Sequence, residues 1–506
     1  MSELENRTYG VELEKPFMAE TGDSYGVGPE YFGQLQALKE QRGEPVELKY
    51  IGDQLVAIST QHGEEALDNG FNLGESATGP INQADGGLCK LYDVTRQELS
   101  DIAEALEPQH AAVLNMSNHP LVNPDDAAYS RFVVPKPAYS YVRTVRGWNH
   151  KAGINASAQN SPSTGIAAYE AANAVNIMIG LGAGMIALYA NSPFENSRLT
   201  NAVESRMGLW EKMFSRAAKI GDRRLHHDPE APFESLREYF SWMFGPGTTM
   251  FFASQENTTD AKHGSEIVAI DGDPSLLEFL ESKERQGHLL ESSEVVHVQP
   301  KLGDLALHQF LQFSGARVRF GFIDGTESTE EFMAAMRGRG TEVEDFMSRK
   351  TSFMYIEGRD AGANFADEEL LDTVGESDIV RSVVISSSAL QAGLLGNASE
   401  ARRLVDSYDW STLMALRHEA AKKGLDGSIG DVQVNRLCQG MLQVAADGLR
   451  TQEKWMLEYP QFVLETGKSG AKRALAMYDK RPELTEKERI RATILRRKAV
   501  LRDTIA

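Results

Sequence analysis

Only two cysteines, Cys89 and Cys438, occur in 506 residues, too few for a disulfide framework or a thiolate metal site. Positive charge is also scarce, because 52 Lys and Arg face 73 Asp and Glu for a formal net charge of −21. That balance excludes non-specific nucleic-acid binding, which needs clustered cations to displace counterions, and it excludes docking on anionic lipid. An anionic substrate would need local neutralisation, and a divalent metal held by carboxylates is one way to supply it. No internal repeat or low-complexity tract is present. The opening MSELENRTYG has no signal-peptide pattern, so the expected localisation is cytoplasmic. One uncharged run, Ala171 to Ala190, is long enough to span a bilayer and carries Gly180 and Gly184 at helix-dimer spacing. Asn173 and Asn176 lie inside it, no Lys/Arg cluster flanks it, and no second such run exists, so it reads as a buried core helix.

What is present is ordinary globular composition, 41% hydrophobic and 25% charged, with enough chain for about three domains or one large unit with an appendage. Thr8 to Glu14 alternates, with Glu12 and Glu14 on one face and Val11 and Leu13 on the other. Glu47 to Thr60 reads as two strands around a Gly-Asp turn. Asp68-Asn69-Gly70 is turn chemistry leading into a strand over Phe71 to Ala77. Thr95 with Glu98 predicts a capping box and a helix ending near Pro108. The alternation of Gly153 to Gln159 predicts a strand with Asn155, Ser157 and Gln159 on one face. Ser352 to Arg359 predicts another, with Tyr355, Glu357 and Arg359 together. From Asp378 the pattern is helical, with segments near 382–396, 411–424, 431–449 and 451–467. After Pro482, a Thr485/Glu488 capping box opens a helix whose basic side reads as a solvated face. The fold class is therefore α+β, an antiparallel sheet flanked by helices over 1–377 and a helical part over 378–506 packed on it.

Strand interiors disfavour acids. Glu12 and Glu14 on one strand, Glu75 with Asp68 just before it on a second, and Glu357 on a third would converge if the strands share a sheet. Hard oxygen donors of that kind suit Mg²⁺ or Mn²⁺, which in turn suit phosphates. Arg359, on the face of Glu357, is placed to stabilise a transferring phosphoryl group. Other candidates fare worse. The side chains of His226-His227-Asp228 diverge ahead of Pro229. The GLGAG run lies within the apolar helix and suits close packing. Cys89 reads as a small core residue.

These residues carry a resemblance to the carboxylate–amine ligases of the glutamate–cysteine ligase family, most closely its plant-type branch. YGVELE resembles the family's first acidic strand, and FNLGESATGP its second. LYANSPFENSRLTNAVESRMGLW resembles the Ala-Asn-Ser-Pro-Phe segment followed by Arg and Trp, and MYIEGRDAG the Glu-x-Arg strand. QAGLLGN, KKGLDG, AADGLR and ETGKSGAKRALAMYD follow its C-terminal helices. The resemblance implies a sheet funnel of the glutamine synthetase/glutamate–cysteine ligase type. It implies an ATP- and Mg²⁺-dependent γ-glutamyl ligase that joins the γ-carboxylate of L-glutamate to L-cysteine through a γ-glutamyl phosphate, as in glutathione biosynthesis. By the resemblance, Glu12, Glu14, Asp68, Glu75 and Glu357 hold metal and Arg359 contacts the γ-phosphate. Arg206 takes the α-carboxylate of glutamate, and Trp210, Asn155 and Lys151 stand at substrate-side positions. The chain departs from the family where Asn155 replaces His or Gln, where His150 and Lys151 replace an arginine, and where Gly358 replaces a bulkier residue. The acceptor therefore stays open, with another amine such as a non-proteinogenic amino acid as the alternative. A metal-dependent phosphohydrolase and a catalytically silent scaffold are the competing classes.

Overall fold

The computed structural model describes residues 7–254, 267–290, 292–309, 313, 315–325 and 328–502. Its centre is a nine-stranded antiparallel sheet. In chain order the strands are β1 (Thr8–Ala19), β2 (Glu47–Ile51), β3 (Gln54–Thr60), β4 (Gly63–Leu67), β5 (Leu73–Asn82), β6 (Ala111–Val113), β7 (Asn160–Gly165), β8 (Ala316–Phe322) and β9 (Thr351–Gly358). They lie in the order β8-β9-β7-β1-β5-β4-β3-β2, with β6 paired to the far end of β1. All three acidic strands thus share one sheet, and β1 sits between β7 and β5.

The period-two alternation of β1 does the sorting. Val11 and Leu13 are fully buried on the core face, under helices α1 (Gly87–Leu106) and α2 (Ser386–Gly396). Glu12 and Glu14 point the other way and line a cavity. Lys15 falls on the core face and is fully buried, so its charge must be satisfied internally. Its Nζ donates to Glu65 (3.0 Å), Ser76 Oγ (2.6 Å) and the Leu13 carbonyl (2.9 Å). Tyr31 donates to the other Glu65 oxygen at 2.8 Å.

Several boundaries differ from the sequence reading. The helix expected to start at Thr95 starts at Gly87, after Gly86 at φ 114°. Thr95 is buried mid-helix, because the stripe Leu88, Leu91, Thr95, Leu99 and Ile102 faces the core and overrides the local capping pattern. The second acidic strand runs from Leu73 to Asn82. Gly153 to Gln159 is not a strand. Residues His150–Asn155 form a 3₁₀ turn ended by Ala156 in the left-handed region (φ 56°); Gln159 makes an isolated bridge to Gly362, and the strand begins at Asn160. The apolar run is buried, and it breaks at Leu181, where Ala168–Gly180 and Gly182–Tyr189 are bent by 49°. No single helix among the described residues is long and apolar enough to cross a membrane. Its glycines serve packing, since a Cβ at Gly182 would lie 2.2 Å from both Arg417 and Asp360, and one at Gly184 2.1 Å from Met441. Cys438 is buried nearby and Cys89 is half-buried; both are free.

C-terminal helices pack directly on the sheet. Gln391 of α2 donates to the carbonyls of Pro162 and Ile356 (3.1 Å each) and to Thr164 Oγ1 (3.0 Å), stitching β7 to β9. The Thr485/Glu488 capping box is present and opens Glu486–Arg496. Beyond that helix the basic tail is not all solvated. Arg497 is fully buried, pairing with Asp367 at 2.6 Å and with the Asn115 carbonyl at 3.1 Å.

Candidate active site

A cavity of about 340 Å³ opens on the acidic face of the sheet, within the size range of small-molecule sites. Its floor holds Glu12, Glu14, Glu75, Asp68, Arg206, Arg317, Arg319 and Arg359, and its wall includes Tyr139, Trp148, Trp210, Phe251, Phe252 and Phe313. Register explains the floor. Glu14 faces Glu75 directly across β1 and β5, and Glu12 faces Ser161 of β7. Glu357 faces Ser163 on one side and Arg317 on the other. Like charges directly opposite each other destabilise a sheet, so the Glu14/Glu75 pair carries a cost.

The electrostatics divide the cavity in two. Burial, then repulsion from Glu357 and Glu75, pushes the Glu12 carboxyl up to about 8. Burial, then Glu75 and Asp68, pushes Glu14 well above the carboxylate range, against a smaller pull from Arg359 and Arg206. Glu14 also accepts from the Gln159 amide at 2.9 Å. Glu357 behaves oppositely. It is fully buried, and the guanidiniums of Arg317, Arg319 and Arg359 outweigh its desolvation and hold it ionised far below the usual range. At the other end Tyr139 donates to Asp68 Oδ1 at 3.2 Å. The His150 ring tilts against Tyr139 at 4.4 Å, with its pKa lowered to about 4 by burial.

Among the described residues no three or more His, Cys, Asp or Glu side chains are drawn together as ligands. The donor chemistry nevertheless fits a hard divalent cation. Glu12, Glu14 and Glu75 repel one another on one face, and raised carboxyl pKa values are what a cluster of oxygen donors shows when no cation balances it. Those three, with Asp68 beside them, are the residues that would hold an ion. Glu357 sits differently from an open ligand, since both its oxygens accept from arginine, at 2.7 Å and 3.0 Å from Arg317.

The remaining sequence-derived residues separate. Trp210 lines the cavity and packs on Phe313, with ring centroids 4.3 Å apart. Arg206 also lines it, but its guanidinium is tied to Glu204 (3.2 Å), Gln159 Oε1 (3.1 Å) and the carbonyls of Arg359 (3.2 Å) and Asp360 (3.3 Å). Asn155, displaced by the 3₁₀ turn, is buried outside the cavity wall, where its Oδ1 accepts from Ser157 at 2.8 Å. Lys151 points away and pairs with Asp126 at 2.9 Å on the surface. His226, His227 and Asp228 lie outside this cavity and together line a different one, and Asp228 lies 3.6 Å from Arg417. Gly358 has a packing reason, because a Cβ there would come 2.5 Å from Gln391 Oε1. Sequence reasoning missed Arg317, Arg319 and, Trp210 apart, the aromatic wall. The Arg-x-Arg of ARVRFGF, two cations on one face of a strand, was the available signal for the first.

No family model matches the chain, and no curated protein sequence matches it. Among solved structures it is similar to glutamate–cysteine ligase from Francisella tularensis in complex with AMP, at 12% identity and a TM-score of 0.45, covering 98% of this chain and 90% of that one. It is also similar to a bifunctional glutathione synthetase from Pasteurella multocida, at 10% identity and TM-score 0.44, covering 97% of this chain and 51% of that one. A third is the ligase PafA in complex with the prokaryotic ubiquitin-like protein Pup, at 10% identity and TM-score 0.35, covering 96% and 70%. The chain resembles these ligases distantly over nearly its whole length. The chemistry of the site stands on its own residues.

Proposed function

We propose that the chain is an ATP-dependent carboxylate–amine ligase that activates the γ-carboxylate of L-glutamate and transfers it to an amine, with L-cysteine as the first acceptor to test. The observation that carries this reading is the division of one cavity into a carboxylate cluster (Glu12, Glu14, Glu75) on β1 and β5 and a guanidinium cluster (Arg317, Arg319, Arg359) on β8 and at the end of β9, all within five neighbouring strands. Joining two carboxylate-bearing substrates through phosphoryl transfer brings anions together, and a site for it needs both cations and cation ligands. In this reading the sheet is the floor of a funnel of the glutamine synthetase type.

The reaction follows in two steps. A γ-carboxylate oxygen attacks the terminal phosphorus of ATP and ADP leaves, giving an acyl phosphate. The amine nitrogen then attacks the acyl carbon, phosphate leaves, and the nitrogen gives up a proton. Bound Mg²⁺ or Mn²⁺ would shield the phosphate charge against the incoming carboxylate. Arg359, held by Glu357, presents a fixed positive charge where the phosphoryl oxygens gain charge. The aromatic wall excludes water that would hydrolyse the acyl phosphate. Arg206, Gln159 and Glu204 form a braced framework that fixes the Arg359 carbonyl and keeps the Glu-x-Arg strand end in place.

The test is ADP release with ATP, Mg²⁺, L-glutamate and a panel of amines. Glutamate-dependent ADP release that rises with one amine supports the reading, and that amine names the acceptor. Arg359→Ala is expected to lower the rate at least about a hundredfold. Release of phosphate from a simple phosphoester without ATP or amine would instead place the carboxylate cluster in a phosphohydrolase. No activity of either kind, unchanged by the variant, would leave a scaffold.

A further inference from the structure

A second cavity, of about 1130 Å³, lies beside the catalytic one. Trp210 and Phe313, packed with ring centroids 4.3 Å apart, line both and form the partition between them. Beyond the partition, Ile186, Met414 and Trp410 supply apolar surface. The loop that carries Asp228 and Glu230 is pinned against this cavity. Trp410 Nε1 donates to the Pro229 carbonyl at 2.7 Å, and the Asn176 side chain bonds both the N–H and the carbonyl of Phe233 at 2.8 Å.

The charge of this second cavity is one-sided. Its Lys and Arg side chains are already taken by carboxylates. Lys212 lies 2.6 Å from both Glu195 oxygens, Arg417 is bidentate to Asp360, and Lys422 lies 3.4 Å from Glu419. Glu211 and Glu230 are exposed and make no ion pair among the described residues. Asp228 reaches only the engaged Arg417, at 3.6 Å. An acceptor with an α-carboxylate would therefore meet no unpaired cation here. A second ammonium would instead meet two unpaired carboxylates, at the end of a surface that suits methylenes. Two buried atoms of the lining agree with an N–H-rich ligand. Ser205 Oγ and His226 Nδ1 find no hydrogen-bond partner among the described residues, and each can accept from an N–H.

We infer that this cavity binds the acceptor, and that the acceptor is an elongated diamine or polyamine. One primary amine reaches past Trp210 and Phe313 to the activated γ-carboxyl, while a distal ammonium is held by Glu211 and Glu230. This rests on the ligase reading above and names its acceptor class. The inner ammonium first loses one proton to solvent. Its nitrogen then bonds to the acyl carbon, the carbon–oxygen bond to phosphate breaks, and a second proton from the nitrogen leaves with the phosphate. The product is a γ-glutamyl amide that keeps its distal positive charge.

The experiment compares 1,4-diaminobutane, spermidine, 1-aminobutane and L-cysteine as acceptors, by ADP release from the full chain with ATP, Mg²⁺ and L-glutamate. 1-Aminobutane offers the same nucleophile and carbon chain as the diamine without the second charge. Both polycations should exceed 1-aminobutane and L-cysteine at least about tenfold in kcat/KM. The double variant Glu211→Gln, Glu230→Gln alters only exposed side chains. It should raise KM for the diamine about 3- to 30-fold with kcat held, and leave KM for 1-aminobutane within about twofold. A preference for L-cysteine, equal kcat/KM for the diamine and 1-aminobutane, or an unmoved diamine KM in the double variant would each overturn the acceptor site while leaving the ligase reading standing. No glutamate-dependent ADP release with any amine would overturn both.

Discussion

Glu12 offers the sharpest quantitative test of the acidic cluster. Its folded-state pKa, about 8, lies above the ordinary 4.5, so the folded chain holds a proton there that the unfolded chain releases. Stability must therefore fall as pH rises through the window from about 4.5 to about 8, and the loss is complete above it. At about 1.4 kcal/mol per unit, the cost at pH 7.5 is on the order of 4 kcal/mol, while at pH 5 it is below about 1 kcal/mol. Glu12→Gln removes the titrating group and keeps most of its volume. In EDTA-treated protein the variant should be the more stable by a few kcal/mol at pH 7.5 and nearly equal at pH 5, by urea unfolding. Millimolar Mg²⁺ or Mn²⁺ should raise the midpoint of the unaltered protein, more at pH 7.5 than at pH 5, and should raise that of Glu12→Gln much less, because a cation binding the folded state offsets the repulsion. Parallel pH profiles for the two proteins, indifferent to divalent cation, would refute the idea that these carboxylates form a cation site.

Other outcomes can be checked independently. Arg417 and Asp360 form a buried bidentate pair at 2.6 and 2.9 Å, so Asp360→Asn should cost about 3–5 kcal/mol in unfolding free energy by stranding Arg417; a loss under about 1 kcal/mol would count against it. His119 and His308 are buried with pKa values lowered to about 4. Each favours the neutral folded form, so stability should fall as pH drops from about 6.5 to about 4, by about 3 kcal/mol per histidine. His308→Gln should flatten that limb of the pH–stability curve. Tyr139→Phe loses a hydrogen bond to Asp68 at 3.2 Å and should change thermal stability by about 1 kcal/mol or less while weakening divalent-cation affinity measured by titration.

How much of this was legible beforehand can be judged strand by strand. On β1 a period of two fixed both the core face and the acid face, because Val11 and Leu13 must be buried together. Glu357 on β9 and Arg359 just past its end were legible for the same reason. GINASAQ misled because alternation among small residues carries little burial signal, and the left-handed Ala156 that ends its turn has no side-chain signature. Asn155 and Lys151 were lost with that strand. The helix start at Gly87 lost to Thr95 because a capping pattern is local whereas the apolar stripe that decides is longer. The aromatic wall gathers Tyr139, Trp148, Trp210, Phe251 and Phe313 from segments far apart in the chain, and only tertiary structure brings them together.

The alternation of β1 has a consequence for how such a chain can change. A one-residue insertion or deletion between Gly10 and Phe17 would carry Glu12 and Glu14 into the hydrophobic interior and turn Val11 and Leu13 toward the cavity. Loss of activity and loss of folding would arrive in the same event. This strand is therefore confined to substitution, one face at a time.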